Sequence, residues 1–302
     1  MRISAAHKRF CMSRKEKMSE EDKAKYRADD LPKIKNVFAY LYFCLIKLFF
    51  YLFFGVGAVF LAIFIFPFIR LFHPNKENFG IHARAYVSHT FRFFLNFLRV
   101  MGGSRQKTDN RTAYRNISGK VIIANHPSIL DFVYIMSLVP NSTCIVRGSL
   151  TKTPLAGVIK QAYITNTTDF DDLCRICRKV IEEGSNVIIF PEGTRTPRHG
   201  RNSYKKGAAR IALFSGCNVQ PIFIGGSDKY GLGKHDAFIS YNHVERYLYD
   251  FRLLPEIDIA EFRELPEAIA AKRLTEKMEQ TILAAADEYS KNHPDCITLN
   301  NV

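Results

Sequence analysis

The chain is short of acidic residues, of paired cysteine spacings and of nucleophile signatures, and each shortage removes a class of function. Asp and Glu number 29 against 43 Lys and Arg, which leaves a formal net charge of +14 and a pI near 9.5. A balance this basic implies a polyanionic partner, either nucleic acid or an anionic membrane surface. Zinc-finger spacing and an aromatic RNA-binding signature are both missing, so no nucleic-acid partner is expected. The seven cysteines (Cys11, Cys44, Cys144, Cys174, Cys177, Cys217 and Cys296) are scattered and odd in number. That argues against a disulfide framework and for a reducing compartment. Cys174 and Cys177 form one Cys-x-x-Cys pair with no second pair to complete a metal site. They fall within a helical pattern with Leu173, Ile176, Val180 and Ile181 apolar, so a buried helix face is expected there. Gly-x-Ser-x-Gly is absent, which disfavours a hydrolase built on Ser128 or on a cysteine. Gly233-Lys234 is not a P-loop, because Asp228 stands where the first Gly would be and His235 replaces Ser or Thr. No cleavable secretory signal is expected, since the apolar run begins late and lacks a small-residue cleavage site. No internal repeat is visible.

What is present divides the 302 residues in three. Residues 1–35 are a basic polar segment with eleven Lys or Arg against six Asp or Glu, expected to be disordered or loosely helical. Residues 36–103 read as a membrane-associated helical region. Between Lys47 and Arg70 lie 22 uncharged residues, mostly Phe, Leu, Ile and Val, enough to cross a bilayer. The basic N-terminus favours the cytoplasmic side. A return crossing through 81–101 would carry Arg84, Arg92 and Arg99, and a central Arg costs roughly 2.5–3.5 kcal/mol on insertion scales. The expectation is therefore a helical hairpin: the first helix dips into the leaflet, Gly55, Gly57 or Pro67 allows a bend, and 81–101 returns along the interface. A single span is the alternative.

From 104 to 302 short apolar runs alternate with amphipathic stretches, which indicates an α/β domain with a mixed, largely parallel sheet flanked by helices. Strands are expected at 120–124, 143–147, 161–165, 186–190 and 219–224, with further strands within 237–252. Helices are expected at 128–138, 170–183 and 204–215, with one or two more in 259–291.

Two strand ends carry chemistry. Val121-Ile-Ile-Ala124 runs into Asn125-His126-Pro127-Ser128-Ile129-Leu130-Asp131. Pro127 suits a first helical position and pushes His126 into extended backbone ahead of it. Asp131 can then lean back toward the imidazole, and an Asp–His pair is an oriented general base. The second stretch, Val187-Ile-Ile-Phe190, ends in Pro191-Glu192-Gly193-Thr194-Arg195-Thr196, which supplies a carboxylate and a guanidinium suited to phosphate. Two such ends on one sheet imply a shared cleft.

In this order and spacing, His-x-x-x-x-Asp followed by Glu-Gly-Thr-Arg resembles the glycerolipid acyltransferases, the 1-acylglycerol-3-phosphate acyltransferase family. The resemblance covers roughly residues 115–230. It implies that His126 is the general base and Asp131 its orienting partner, and that Glu192, Gly193, Thr194 and Arg195 bind the acceptor phosphate or its neighbourhood. The intermediate motif of the family matches Arg147, Pro154 and Gly157, and its late apolar-Pro motif matches Val219-Gln220-Pro221-Ile222. The implied reaction moves an acyl group from acyl-CoA or acyl carrier protein to a lysophospholipid, with 1-acylglycerol-3-phosphate becoming phosphatidic acid, at the cytoplasmic face of the membrane. No cofactor or metal is implied, and the anionic membrane is the remaining partner. One departure stands out: Asn166 follows Tyr163-Ile164-Thr165 where many members have Arg. It leaves room for another lipid-linked hydroxyl, such as a lyso-aminolipid. A non-catalytic protein that binds anionic lipid is the reading from a different class.

Overall fold

Three-residue runs of β-branched residues, Val121–Ile123 and Val187–Ile189, make the centre of the sheet, because such side chains pack well on a pleated surface buried on both faces. In the computed structural model, residues 19–166 and 169–294 are described, apart from the side chains of 76–78. The chain opens with α1 (Glu20–Ala24). A long apolar helix follows, α2 (Val37–Phe60), a π-helical turn (Leu61–Ile65) and α3 (Phe66–Phe72), and α4 (Lys76–Val100) returns beside it. The α/β body then runs β1 (Ser104–Thr108), α5 (Arg111–Arg115), β2 (Val121–Ala124), α6 (Asp131–Leu138), β3 (Ser142–Val146), a 3₁₀ turn (Gly148–Lys152), α7 (Ala156–Ala162), β4 (Ile164–Thr165) and α8 (Phe170–Glu182). It continues with β5 (Asn186–Ile189), α9 (Gly207–Ser215), β6 (Val219–Gly226), β7 (Tyr247–Leu253), α10 (Ala260–Arg263) and α11 (Glu267–Asn292).

The seven strands lie in the order β1-β7-β6-β2-β5-β3-β4, and every pairing is parallel except that of β6 with β7. β2 sits between β5 and β6, with Val121 opposite both Val187 and Val219. Its side chains alternate between two cores. Ile122 and Ala124 join α4, α6 and the hydrophobic helix, while Val121 and Ile123 join α8, α9 and α11. Cys174 and Cys177 lie buried on the inner face of α8, as the helical pattern implied. The C-terminal ends of β2 and β5 are adjacent, so the His126 and Arg195 stretches open onto one edge of the sheet.

The helical hairpin is present, and its second arm packs one face against the first arm and the α/β body. The two arms run antiparallel through ring contacts of Phe50 with Phe94 and Phe97, of Phe54 with Phe91, and of Phe66 with Phe79. Phe79, Ala83, Val87, Phe91, Phe94, Leu95 and Leu98 of α4 are all buried. Arg84 is buried too, donating to Asn141 at 3.0 Å and to Ser185 at 2.8 Å, and Arg92 turns toward the Ser137 carbonyl at 3.5 Å. Loop acceptors on the α/β body therefore satisfy Arg84, and the inner face of α4 belongs to the core. The first arm is the exposed one. Over Val37–Phe72 it is long and apolar enough to cross a membrane, and Leu41, Leu45, Leu48, Leu52 and Val56 form an exposed stripe. The π-turn falls just before Pro67, whose missing N–H interrupts the regular ladder, so the helix passes this point without breaking.

The segment ahead of α2 also departs from expectation. Residues 1–18 lie outside the described part. Residues 19–35 dock on the α/β body: His199 donates its N–H to the Lys25 carbonyl at 2.9 Å, and Lys35 donates to the His243 carbonyl at 3.0 Å. Arg198 joins Asp30 at 2.8 Å to the buried Asp228 at 2.7 Å. Asp30 and the backbone of Lys25 and Lys35 thus serve as docking contacts, while Lys23–Glu20 and Lys25–Asp22 pair within the segment.

Candidate active site

β2 ends in Asn125, whose side chain continues the ladder: it donates to the Ile224 carbonyl at 2.9 Å and accepts from the Ile224 N–H at 2.8 Å. This fixes the exit direction of the strand. His126 follows, with its ring stacked on Phe190 at 4.0 Å between centroids and 16° between planes. Its Nδ1 lies 2.9 Å from Asp131 Oδ2. The helix begins later than Pro127 suggested, at Asp131 itself, because residues 127–130 form a turn closed by that carboxylate. Asp131 accepts the Ser128 N–H at 2.7 Å and the Ser128 hydroxyl at 2.6 Å. The Ser128 hydroxyl is also 2.8 Å from the Tyr249 hydroxyl. Asp131 and Ser128 are fully buried, which removes Ser128 as a nucleophile. Asp131 carries the geometry of an orienter: a carboxylate locked by three donors, holding the Nδ1 tautomer so that Nε2 is left to accept a proton.

The second stretch divides into an inward and an outward part. Glu192 is 4% exposed and serves the backbone. It accepts the His126 N–H at 3.3 Å and the Asn202 side chain at 2.9 Å, and it binds the Thr196 hydroxyl. Thr196 in turn accepts the His126 N–H at 2.9 Å and donates its own N–H to the His126 carbonyl at 2.8 Å. Burial pushes the Glu192 carboxyl above the ordinary carboxylate range, against the hydrogen bonds from Thr196 and Asn202. The carboxylate thus ties the two motif loops together and is turned away from the cleft. Gly193 adopts φ +67°, a left-handed conformation that favours glycine, and the Lys205 stem lies against the position a Cβ would take. Thr194 is half-buried beside it.

Arg195 donates from one nitrogen to the carbonyls of Leu232 at 2.9 Å and Gly233 at 2.7 Å, so its guanidinium is held by the loop 229–236. Lys234 in that loop has its pKa pushed down, first by desolvation and then by the facing cations Arg147, Arg195 and Lys205. Four cations from three loops are thus brought near one another, an arrangement that favours an anion between them. Arg147 is exposed at the end of β3. Asn166 is committed to the same turn, accepting the Gly148 N–H at 3.0 Å. Gly157, in α7, abuts Ala62 of the hydrophobic helix, and Val219–Ile222 is ladder within β6. Neither lies in the cleft.

Sequence reasoning passed over Phe190, Asn202, Lys234 and Tyr26. Lys234 was visible only as a failed P-loop, and Tyr26 lies in a stretch expected to be disordered or loosely helical. The Tyr26 hydroxyl donates to the Arg195 carbonyl at 3.1 Å, its ring meets His235 edge-on at 5.5 Å, and the Lys234 ammonium lies 4.5 Å from its centre.

A family model described as Acyltransferase matches residues 105–225. The structure is similar to the crystal structure of the 1-acyl-sn-glycerophosphate (LPA) acyltransferase PlsC from Thermotoga maritima, with a TM-score of 0.59 over 81% of this chain and 95% of that one at 20% identity. The fold is thus that of PlsC, and residues 105–225 are similar to the acyltransferase family. Among its relatives, the chloroplastic 1-acyl-sn-glycerol-3-phosphate acyltransferase LPAT1 of Arabidopsis thaliana is 28% identical over 68% of this chain and 56% of its own length. The 1-acyl-sn-glycerol-3-phosphate acyltransferase of Haemophilus influenzae is 26% identical over 52% of this chain and 65% of its own. The chain therefore spans little more than half the length of the plant relative.

Proposed function

We propose that the chain is an O-acyltransferase that moves a fatty acyl group from acyl-CoA or acyl carrier protein to the free hydroxyl of 1-acylglycerol-3-phosphate. The observation that carries this reading is the His126–Asp131 pair, at 2.9 Å, opening beside the cations Arg195 and Lys234. His126 Nε2 takes the proton from the acceptor hydroxyl as its oxygen attacks the thioester carbonyl. The new ester C–O bond forms, the C–S bond breaks, and the imidazolium returns the proton to the departing thiolate. Asp131 holds the ring and stabilises the imidazolium, a contribution of about 10²–10⁴ in rate for a positioned base. The acceptor phosphate lies among Arg195, Lys234, Lys205 and Arg147, so Asn166 in place of the usual Arg does not leave the anion without cations.

The relatives named for this acceptor support the assignment, as does a cleft bordered by an apolar helix that suits a lipid-borne substrate. We read α2 and α3 as embedded in the membrane and the cleft as facing the cytoplasm, where acyl thioesters are made. The test is a panel of lysolipid acceptors offered with one labelled acyl thioester to the full chain in detergent. Thiol release should require a lysolipid and be fastest with lysophosphatidate. His126→Ala should lose about 10³ in turnover while remaining folded. A preference for an uncharged acceptor would reassign the substrate, and full activity in His126→Ala would remove the base.

A further inference from the structure

The loop 236–240 presents Phe238 and Ile239, 63% and 70% exposed, at the mouth of the cleft. These two side chains are held outward by a tightly bonded loop. Asp236 Oδ2 accepts the N–H groups of Gly231 at 2.8 Å and Gly233 at 2.7 Å, and the Ser240 hydroxyl donates to the Ala237 carbonyl at 2.6 Å. Lys47, on α2, reaches the Gly231 carbonyl at 2.9 Å. The loop is therefore pinned at its base.

Two further contacts say what the tip faces. Phe238 stacks on Tyr51 of α2, with centroids 5.3 Å apart and planes at 16°. Tyr51 lies within one turn of Leu48 and Leu52, which belong to the exposed apolar stripe, so the tip extends that stripe sideways. On the other flank, the exposed Ile129 donates its N–H to the Leu232 carbonyl at 3.1 Å, three residues beyond His126. Ile129, Phe238 and Ile239 are thus exposed apolar side chains on loops between the hydrophobic helix and the candidate base, and the loop that carries Phe238 and Ile239 also carries the cation Lys234. An apolar tip beside a cation is the composition of an interfacial anchor on an anionic leaflet.

We propose that the loop 236–240 is a second membrane-contact element, with Phe238 and Ile239 inserted among the lipid acyl chains beside α2, so that the cleft mouth is seated on the leaflet surface. The proposal rests on the reading of α2 as membrane-embedded. The chain contains no tryptophan, so one introduced residue reports alone. Phe238→Trp and, separately, Ile239→Trp are introduced into the full chain and reconstituted in vesicles of phosphatidylcholine and phosphatidylglycerol. Leu52→Trp on α2 serves as the reference. The expected result is blue-shifted emission at 238 or 239, quenched severalfold by lipids brominated in the acyl chain and little affected by iodide in the water. Water-exposed emission at both loop positions, quenched by iodide only, overturns the proposal. If Leu52→Trp is then quenched by the brominated lipid, the loop proposal alone has failed; if it too is not, the reading of α2 has failed with it. Quenching at the loop that begins only when an acyl thioester is added also overturns it, because the loop would then hold the donor chain.

Discussion

The Tyr26 hydroxyl and the Arg195 carbonyl, 169 positions apart in the chain, are joined by a hydrogen bond of 3.1 Å. It ties the segment ahead of the hydrophobic helix to the turn that carries Arg195, whose guanidinium is held by the Leu232 and Gly233 carbonyls. Asn202 donates to the same carbonyl at 3.2 Å, so Tyr26→Phe does not orphan it. The loss is one neutral hydrogen bond, about 1 kcal/mol at most, and lysophosphatidate KM should rise by about twofold to fivefold. Tyr26→Ala also removes the ring against His235 and Lys234, and about tenfold is expected. In both variants kcat and donor KM should stay within about twofold. A parallel fall in kcat and in donor affinity would assign Tyr26 to general stability.

Asp131 is the more drastic position. Asp131→Asn keeps the volume but offers an N–H where Nδ1–H must be accepted, so the imidazole is left in the wrong tautomer. Turnover should fall by about 10³–10⁴ with acceptor KM little changed. Steady-state kinetics, with circular dichroism to confirm the fold, measures this. A loss below about tenfold would show that the pair does not act as a base and its orienter.

Glu192 gives a pH signature. Its folded carboxyl holds a proton more tightly than the free side chain, because burial outweighs its hydrogen bonds. Stability linked to this group is therefore greatest below the unfolded pKa and is lost as pH rises through the folded value. Glu192→Gln cannot titrate. The melting temperature of the variant minus that of the parent should climb as pH rises from about 4. A difference that falls instead would mean that Thr196 and Asn202 hold the carboxylate ionised.

Arg198 has two carboxylate partners of unequal weight. Asp228 is 7% exposed and Asp30 is 52% exposed as side chains. Arg198→Ala strands the buried Asp228 and should cost about 3–5 kcal/mol in denaturant unfolding. Asp30→Ala breaks only the surface partner and should cost under about 1 kcal/mol. Equal effects would show that the outer contact, and with it the docking of residues 19–35, dominates.

Where chemistry and periodicity coincided, the sequence was readable. β2, β5 and β6 are near-continuous apolar runs because both their faces are covered, and the two motif stretches follow two of them directly. β1 escaped because Ser104-Arg-Gln-Lys-Thr108 is polar throughout: it is an edge strand that pairs only with β7, so no apolar pattern is required of it. The stretch 161–165 proved to be the end of α7 and only two residues of β4, because Ala156–Ala162 is too short to show a helical period. The arginines of α4 suggested a membrane surface, since a guanidinium in an apolar helix gives no sign that Asn141 and Ser185 await it from elsewhere in the chain. Glu192 could be recognised as part of a motif but not as facing inward, for that depends on Asn202 and Thr196 closing around it in three dimensions.

Lys47 bridges the long apolar helix to the loop whose neighbouring carbonyls hold Arg195. The position of the helix is thereby linked to that of the loop that holds Arg195. On the membrane reading, such an enzyme searches for its acceptor in two dimensions. Its rate should follow the acceptor's mole fraction in the bilayer, and diluting the suspension with buffer should leave it unchanged.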